Sequence, residues 1–306
     1  MGQITSMNPE TRAYIELHIA VFLFGFTAIL GDLIQLPALT LVWWRVFITS
    51  ISLLFLIKVI RLFRTLPRKR LLQFMGIGVL VALHWLAFYG AIKLANASIA
   101  LVAMATTSFF TSMIEPFVMQ QRVKWYEIAL GVLIIPGMML VANGTEFSML
   151  TGLWVGIVAA FLAALFATLN KKLIGNQNVL EITFLELGSA WLFLSLVLPV
   201  LFLVSDINIT FMPPSGMDWL YLLVLALLCT TLAYALALKS LRHLTAFASN
   251  LTINMEPVYG IIMAWILLNE NEELTSNFYW GVVIILLAVF SYPVLRRLER
   301  LKKIKG

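Results

Sequence analysis

The sequence predicts an all-α integral membrane protein: ten transmembrane helices, built as two inverted five-helix repeats with both termini in the cytoplasm. Three observations predict it. Of 306 residues, 61% are apolar and only 12% are charged, with a mean hydropathy of +0.97. Soluble globular chains carry about 45–50% apolar and about 25% charged residues, so lipid is the solvent for most of this chain. Apolar runs recur at close to the twenty residues that a helix needs to cross a hydrocarbon core about 30 Å thick. The basic residues collect in every second break between those runs, as the positive-inside bias requires.

Taken in chain order, the spans are expected at 13–31, 38–60, 71–93, 97–119, 126–142, 151–170, 179–204, 218–239, 244–268 and 277–295. The first follows a short polar stretch, Met1 to Arg12, and no small-residue cleavage pattern comes after it, so it reads as an uncleaved helix and not a signal peptide. The seventh is long, and Pro199 kinks it or ends it. The fourth and ninth carry polar residues in mid-run. Trp125, Trp154, Trp219 and Trp280 stand at the starts of spans, where aromatic belts anchor helices at the interface.

With the N-terminus inside, all 21 basic residues except Arg45 and Lys93 fall in cytoplasmic segments. The largest groups are Lys58 to Arg70 and Arg296 to Lys305. The outer breaks carry Asp32, Glu146, Asp206, Asp218, Glu270, Glu272 and Glu273 instead. Removing one span would destroy the alternation. The net charge of +6 is therefore an orientation signal, and a nucleic-acid partner is not expected. The sequons at Asn143 and Asn208 lie in outer breaks and are too common by chance to assign a source. The single cysteine, Cys229, excludes disulfide frameworks and Cys-rich metal sites, and no cofactor or metal is expected.

Five spans per half is an odd number, so the second half enters the membrane from the opposite side. The repeat boundary is placed between residues 148 and 149, giving halves 1–148 and 149–306. Leu39-Thr40 with Arg45 lines up with Leu180-Glu181 and Glu186, Tyr89-Gly-Ala-Ile with Tyr234-Ala-Leu-Ala, and Gly131 with Gly281. Inverted repeats of this kind mark secondary transporters that bind their substrate near the midplane. The sixth span carries Gly152, Gly156, Ala160 and Ala164 at four-residue steps, a stripe that admits another backbone closely.

The run from His84 to Ala100 resembles the EamA branch of the drug/metabolite transporter superfamily. Three further features are similar to it: Pro37 to Arg45, the segment Ala248 to Tyr259 with Glu256-Pro257, and Trp265-Ile-Leu-Leu-Asn-Glu270, where Asn269 replaces the usual Gly. The likeness covers essentially the whole chain. It departs in the first half, where the mid-helix Pro position falls near Thr107-Ser108 and Glu115-Pro116 comes about two turns later. The resemblance implies a ten-helix bundle with a central cavity, working by alternating access. It also implies a cargo drawn from amino acids and related metabolites, which most members export, or from nucleotide sugars, choline or drugs.

A charge at a helix centre costs about 2.5–3.5 kcal/mol on insertion scales, so intramembrane polar residues face a cavity or a partner. The candidate substrate-binding residues are Trp43, Arg45, His84, Trp85, Phe88, Tyr89, Glu186, Tyr234, Asn250, Asn254 and Glu256. Arg45 and Glu186 occupy matching repeat positions, and either form a structural ion pair or leave Arg45 to bind a substrate carboxylate. Glu256, with Asn250 and Asn254, either satisfies the backbone carbonyl freed by Pro257 or forms a polar floor or proton site. His84 suits packing or a proton relay. The aromatic residues either line a cavity, where cation–π contact would also suit a quaternary amine, or only pack.

The sequence thus points to export of an amino acid or related small amphipathic metabolite, with uptake or exchange of a quaternary amine, nucleotide sugar or drug as the alternative. No Gly-rich Lys-Ser/Thr phosphate loop exists for ATP coupling. The drive is a substrate gradient, a proton or a counter-solute. The remaining expected partners are the bilayer, that of a bacterial inner membrane, and a second copy in a homodimer. His18, His84 and His243 are too scattered for a membrane-embedded enzyme.

Overall fold

The computed structural model describes residues 8–141, 149–204, 210–256, 258–259 and 276–305. Every regular element among them is helical: α1 (Pro9–Leu33), α2 (Ala38–Leu54), α3 (Val59–Thr65), α4 (Arg68–Leu94), α5 (Ala97–Met119), α6 (Trp125–Val141), α7 (Leu150–Leu173), α8 (Val179–Val204), α9 (Gly216–Ala226), α10 (Ala233–Ser240), α11 (Ala246–Ile253) and α12 (Ser276–Lys305). A π-helical turn, Leu227–Leu232, joins α9 to α10, so the three form one continuous rod.

Among the described residues seven helices are long and apolar enough to cross a membrane, and eight if α2 and α3 count as one bent span. α6 is a shorter apolar helix. The expected ninth span, 244–268, begins as α11, but residues 260–268, like Pro257, Asn269 and Glu270, lie outside the described residues. So do Asn143 with its loop, and Asn208. These apolar helices make the chain a multi-pass integral membrane protein.

The second span differs from expectation, and the last helix, α12, continues past the expected 295 to Lys305. The second span stops at Leu54 and the chain turns by 90° into α3, because from Lys58 onward the sequence alternates basic and apolar residues that suit an interface better than hydrocarbon. The expected span 179–204 is found as α8, which runs through Pro199 to Val204 without ending at the proline.

Buried apolar residues form two clusters. The larger joins α2, α4, α8 and the α9–α10 rod; the second joins α1, α5, α6, α11 and α12. Small residues let the helices approach where the glycine stripe anticipated. A Cβ on Gly156 of α7 would come within 2.5 Å of Ala103 Cβ on α5, and one on Gly78 of α4 would overlap the Glu186 carbonyl of α8. Large side chains such as Phe117, Trp125 and Leu196 face outward, and lipid is the medium that suits them.

Hydrophilic ties close the helix ends. Asp218 accepts from the Gln35 backbone N–H at 2.8 Å and from the Ser215 hydroxyl at 2.5 Å, joining the α1–α2 turn to the start of α9. At the other end Lys239 reaches Glu16 at 2.6 Å, and Arg12 shares that carboxylate. Lys93 donates to the carbonyls of Asp32 and Ile34, which end α1.

Candidate functional site

A cavity of about 120 Å³ opens where α1, α2, α4, α5, α7, α10 and α11 converge. Its polar lining is Thr27, Arg45, His84, Thr107, Asn170, Tyr234, Ser249, Asn250 and Glu256, set among Phe24, Trp85, Phe88, Met104 and Phe166. A water's share of liquid volume is about 30 Å³, so the cavity has room for about four waters, the scale of a small solute.

Arg45 is 1% exposed and is held on three sides. Its Nε donates to Thr230 Oγ1 at 2.6 Å, Nη1 to the Tyr89 hydroxyl at 2.8 Å, and Nη2 to the Cys229 carbonyl at 3.4 Å. Its guanidinium lies 4.0 Å from the Trp85 ring centroid. The π-turn explains the first contact. Thr230 donates its own hydroxyl to the Leu225 carbonyl five residues back, leaving its oxygen lone pairs turned toward Arg45. Among the described residues no carboxylate forms an ion pair with Arg45, so the groups that touch it are dipoles and a ring face.

Glu186 of α8 is fully buried behind the cavity wall. Its Oε2 accepts from the Tyr234 hydroxyl at 2.5 Å and from Asn170 Nδ2 at 3.3 Å, while Oε1 and Asn170 Oδ1 have no hydrogen-bond partner among the described residues. Of the two readings the sequence left open, the Arg45–Glu186 ion pair is not formed. Each residue bonds instead to the tyrosine on the next long helix of its own half, because that tyrosine is the polar group within reach inside the same half.

His84 donates from Nδ1 to the Ala159 carbonyl at 2.8 Å, and in a neutral ring this leaves Nε2 as an acceptor. Its ring stacks on Phe88 and meets Phe166 edge-on. Glu256 lines the cavity half-buried, and makes no hydrogen bond or ion pair among the described residues.

Along α5, Ser108, Thr111 and Glu115 share one face and form a polar seam with α11. Asn254 donates to Ser108 at 3.1 Å and Asn250 to Thr111 at 2.7 Å, while the Glu115 carboxylate caps the backbone N–H groups of Ala246 and Phe247 at 3.0 and 2.8 Å. Glu115 thus acts as a helix cap supplied from a neighbouring helix, satisfying donors that would otherwise be orphaned inside the bundle.

Of the residues singled out from sequence, Arg45, His84, Trp85, Phe88, Tyr234, Asn250 and Glu256 meet at this cavity. Trp43, Tyr89, Glu186 and Asn254 are not in its lining. Trp43 lies between α2 and α8, donating to Ser195 at 2.9 Å and stacking on Phe47. Sequence reasoning missed Asn170, Thr27, Thr107 and Ser249. The buried Asn170 is a polar residue in mid-span beside the small-residue stripe, a signal open to the same test of intramembrane polarity that selected the others. Thr27 Oγ1 and Thr107 Oγ1 are buried without a hydrogen-bond partner among the described residues.

The EamA-like transporter family profile matches residues 11–143 and again 150–292. The chain belongs to the EamA-like transporter family. It is similar to two proteins of Bacillus subtilis (strain 168). The uncharacterized transporter YxxF is 22% identical over 289 residues, covering 92% of this chain and 89% of that protein. The uncharacterized transporter YetK is 23% identical over 300 residues, covering 93% and 87%. A solved crystal structure shares the fold with a TM-score of 0.71 at 14% identity, over 94% of this chain and 99% of its own. This EamA-family protein is accordingly a membrane transporter, and its cavity is the place to look for the cargo.

Proposed function

We propose that this protein is a secondary transporter that exports an amino acid or a related small zwitterion by alternating access. One observation carries the reading. Among the described residues, a guanidinium without a carboxylate partner and a carboxyl without a hydrogen-bond partner line the same cavity, at Arg45 and Glu256, with aromatic walls between helices. A zwitterion with an apolar side chain complements both poles and the walls. In this assignment Arg45 takes the carboxylate, Glu256 with Asn250 takes the ammonium, and His84, Trp85, Phe88 and Tyr234 shape the side-chain pocket. Tyr89, Glu186, Asn254 and Trp43 support these residues from behind. The volume favours a small solute over a nucleotide sugar.

The architecture belongs to the same proposal: ten spans, N-in and C-in, in two inverted repeats of residues 1–148 and 149–306. The double match of the family profile supports it. So does the equivalent placement of Arg45 on Tyr89 and Glu186 on Tyr234. A bacterial inner membrane is the proposed location, in keeping with the bacterial relatives.

The test is thermal stabilisation of the purified protein across an amino-acid panel, followed by counterflow in reconstituted vesicles. A ligand that binds the folded state raises its apparent stability. The reading expects at least one apolar or aromatic amino acid to stabilise and to exchange. Stabilisation by choline or a nucleotide sugar with no response to any amino acid would overturn it.

A further inference from the structure

The 90° turn between α2 and α3 sets a short helix across the end of a membrane span. If α2 crosses the bilayer, α3 lies near its plane. Its side chains are sorted as such a position requires. Leu62 points inward and is 2% exposed, pinning the helix to the larger core cluster. Ile60 and Phe63, three residues apart, form one outward apolar face, which the exposed Phe55 and Leu56 of the preceding turn extend. Arg61 and Arg64 form the adjacent basic face.

The charge on this segment is uncompensated. Six cations fall between Lys58 and Arg70, five of them exposed, and none forms an ion pair among the described residues. No Asp or Glu occurs between Asp32 and Glu115. Apolar side chains beside unneutralised arginines at the end of a span match an acyl-chain boundary lying beneath a layer of phosphate headgroups.

We propose that α3 and the basic start of α4 form a docking surface for anionic phospholipid headgroups, with Ile60 and Phe63 entering the acyl boundary while Arg61, Arg64 and Arg68 hold the phosphates. The basic cluster then does more than orient the chain during insertion: it selects the lipids that surround the α2–α4 end of the bundle. This inference rests on membrane embedding and not on the nature of the cargo.

The experiment is native mass spectrometry of the full chain in detergent micelles, titrated with dioleoyl-phosphatidylglycerol or dioleoyl-phosphatidylcholine. Each basic residue near a surface is worth about fivefold in attraction to anionic lipid, so the anionic lipid is expected to be retained at a concentration at least about tenfold lower. The combined Arg61→Gln, Arg64→Gln and Arg68→Gln protein is expected to lose that preference, and the matching Arg→Lys protein to keep it. Ile60→Ser with Phe63→Ser is expected to weaken retention. Unchanged preference in the Gln protein, or equal retention of the two lipids by the native chain, would overturn the proposal. So would competition by soluble glycerol phosphate as effective as the lipid itself. Should the Gln protein fail to fold, the native chain decides: its preference is expected to fade as ionic strength rises, and a preference indifferent to salt overturns the proposal.

Discussion

Tyr234 donates its hydroxyl to Oε2 of Glu186 across 2.5 Å, and Tyr89 stands in the same relation to Arg45, accepting from Nη1 at 2.8 Å. In each half a residue on the second long helix is held by a tyrosine on the third. One copy of this arrangement faces the cavity as a cation, and the other is a carboxyl set behind the wall. The two halves thus share a frame while presenting different chemistry to a solute.

Removing one partner of such a buried pair leaves the other orphaned, which costs about 1–3 kcal/mol. Tyr234→Phe is expected to lower the thermal midpoint by that loss, and Glu186→Ala with Tyr234→Phe to lose less than the sum of the two single changes. A double-mutant cycle followed by thermal unfolding checks it, and full additivity would refute the coupling.

Arg45→Lys is not conservative here. A lysine has no planar fork to reach Thr230, Tyr89 and Cys229 together or to lie on Trp85. Arg45→Lys and Arg45→Ala are expected to cut transport of the amino acid found in the stabilisation panel at least about tenfold, a loss of about 1.4 kcal/mol, with normal membrane insertion. Glu256→Gln is expected to do likewise. Lost insertion in place of lost transport would assign these residues to the scaffold.

Glu115→Ala removes the acceptor for the two backbone donors that begin α11. A destabilisation of about 1–3 kcal/mol is expected, with faster amide exchange at Ala246 and Phe247 as the local signature. Glu115→Gln keeps one acceptor oxygen and should lose less.

Gly78→Ala places a methyl group against the Glu186 carbonyl, a backbone atom that cannot swing aside. Overpacking of this kind costs about 1–3 kcal/mol. Gly76→Ala, one residue pair away with open space around its Cβ position, is the control and is expected to be neutral or slightly stabilising. Equal thermal midpoints for the two variants would remove the claimed close crossing of α4 and α8.

The orientation is testable in a Cys229→Ser background. An impermeant thiol reagent applied outside intact cells is expected to label Glu146→Cys and to miss Arg64→Cys. The reverse labelling would invert the topology, and labelling of both would break the alternation on which the ten-span count rests.

Composition and periodicity were enough to determine that this chain lives in lipid, where most spans lie, which breaks are basic and which helix carries the small-residue stripe. These are local properties, because a segment's transfer into hydrocarbon depends on its own residues. The paired positions of Arg45 with Glu186 and Tyr89 with Tyr234 were legible for the same reason, as repeated patterns along one chain. Packing alone decided what those residues do. Thr230 meets Arg45 across 185 positions of sequence, and Asn250 meets Thr111 across 139. Asn170 turns toward Glu186 because α7 and α8 pack on α4. Helical spacing assigns a side chain to a face but not to the neighbour that face will meet. For that reason the sequence left open whether Arg45 and Glu186 pair with each other or stand apart, whereas the fold gave each a tyrosine partner.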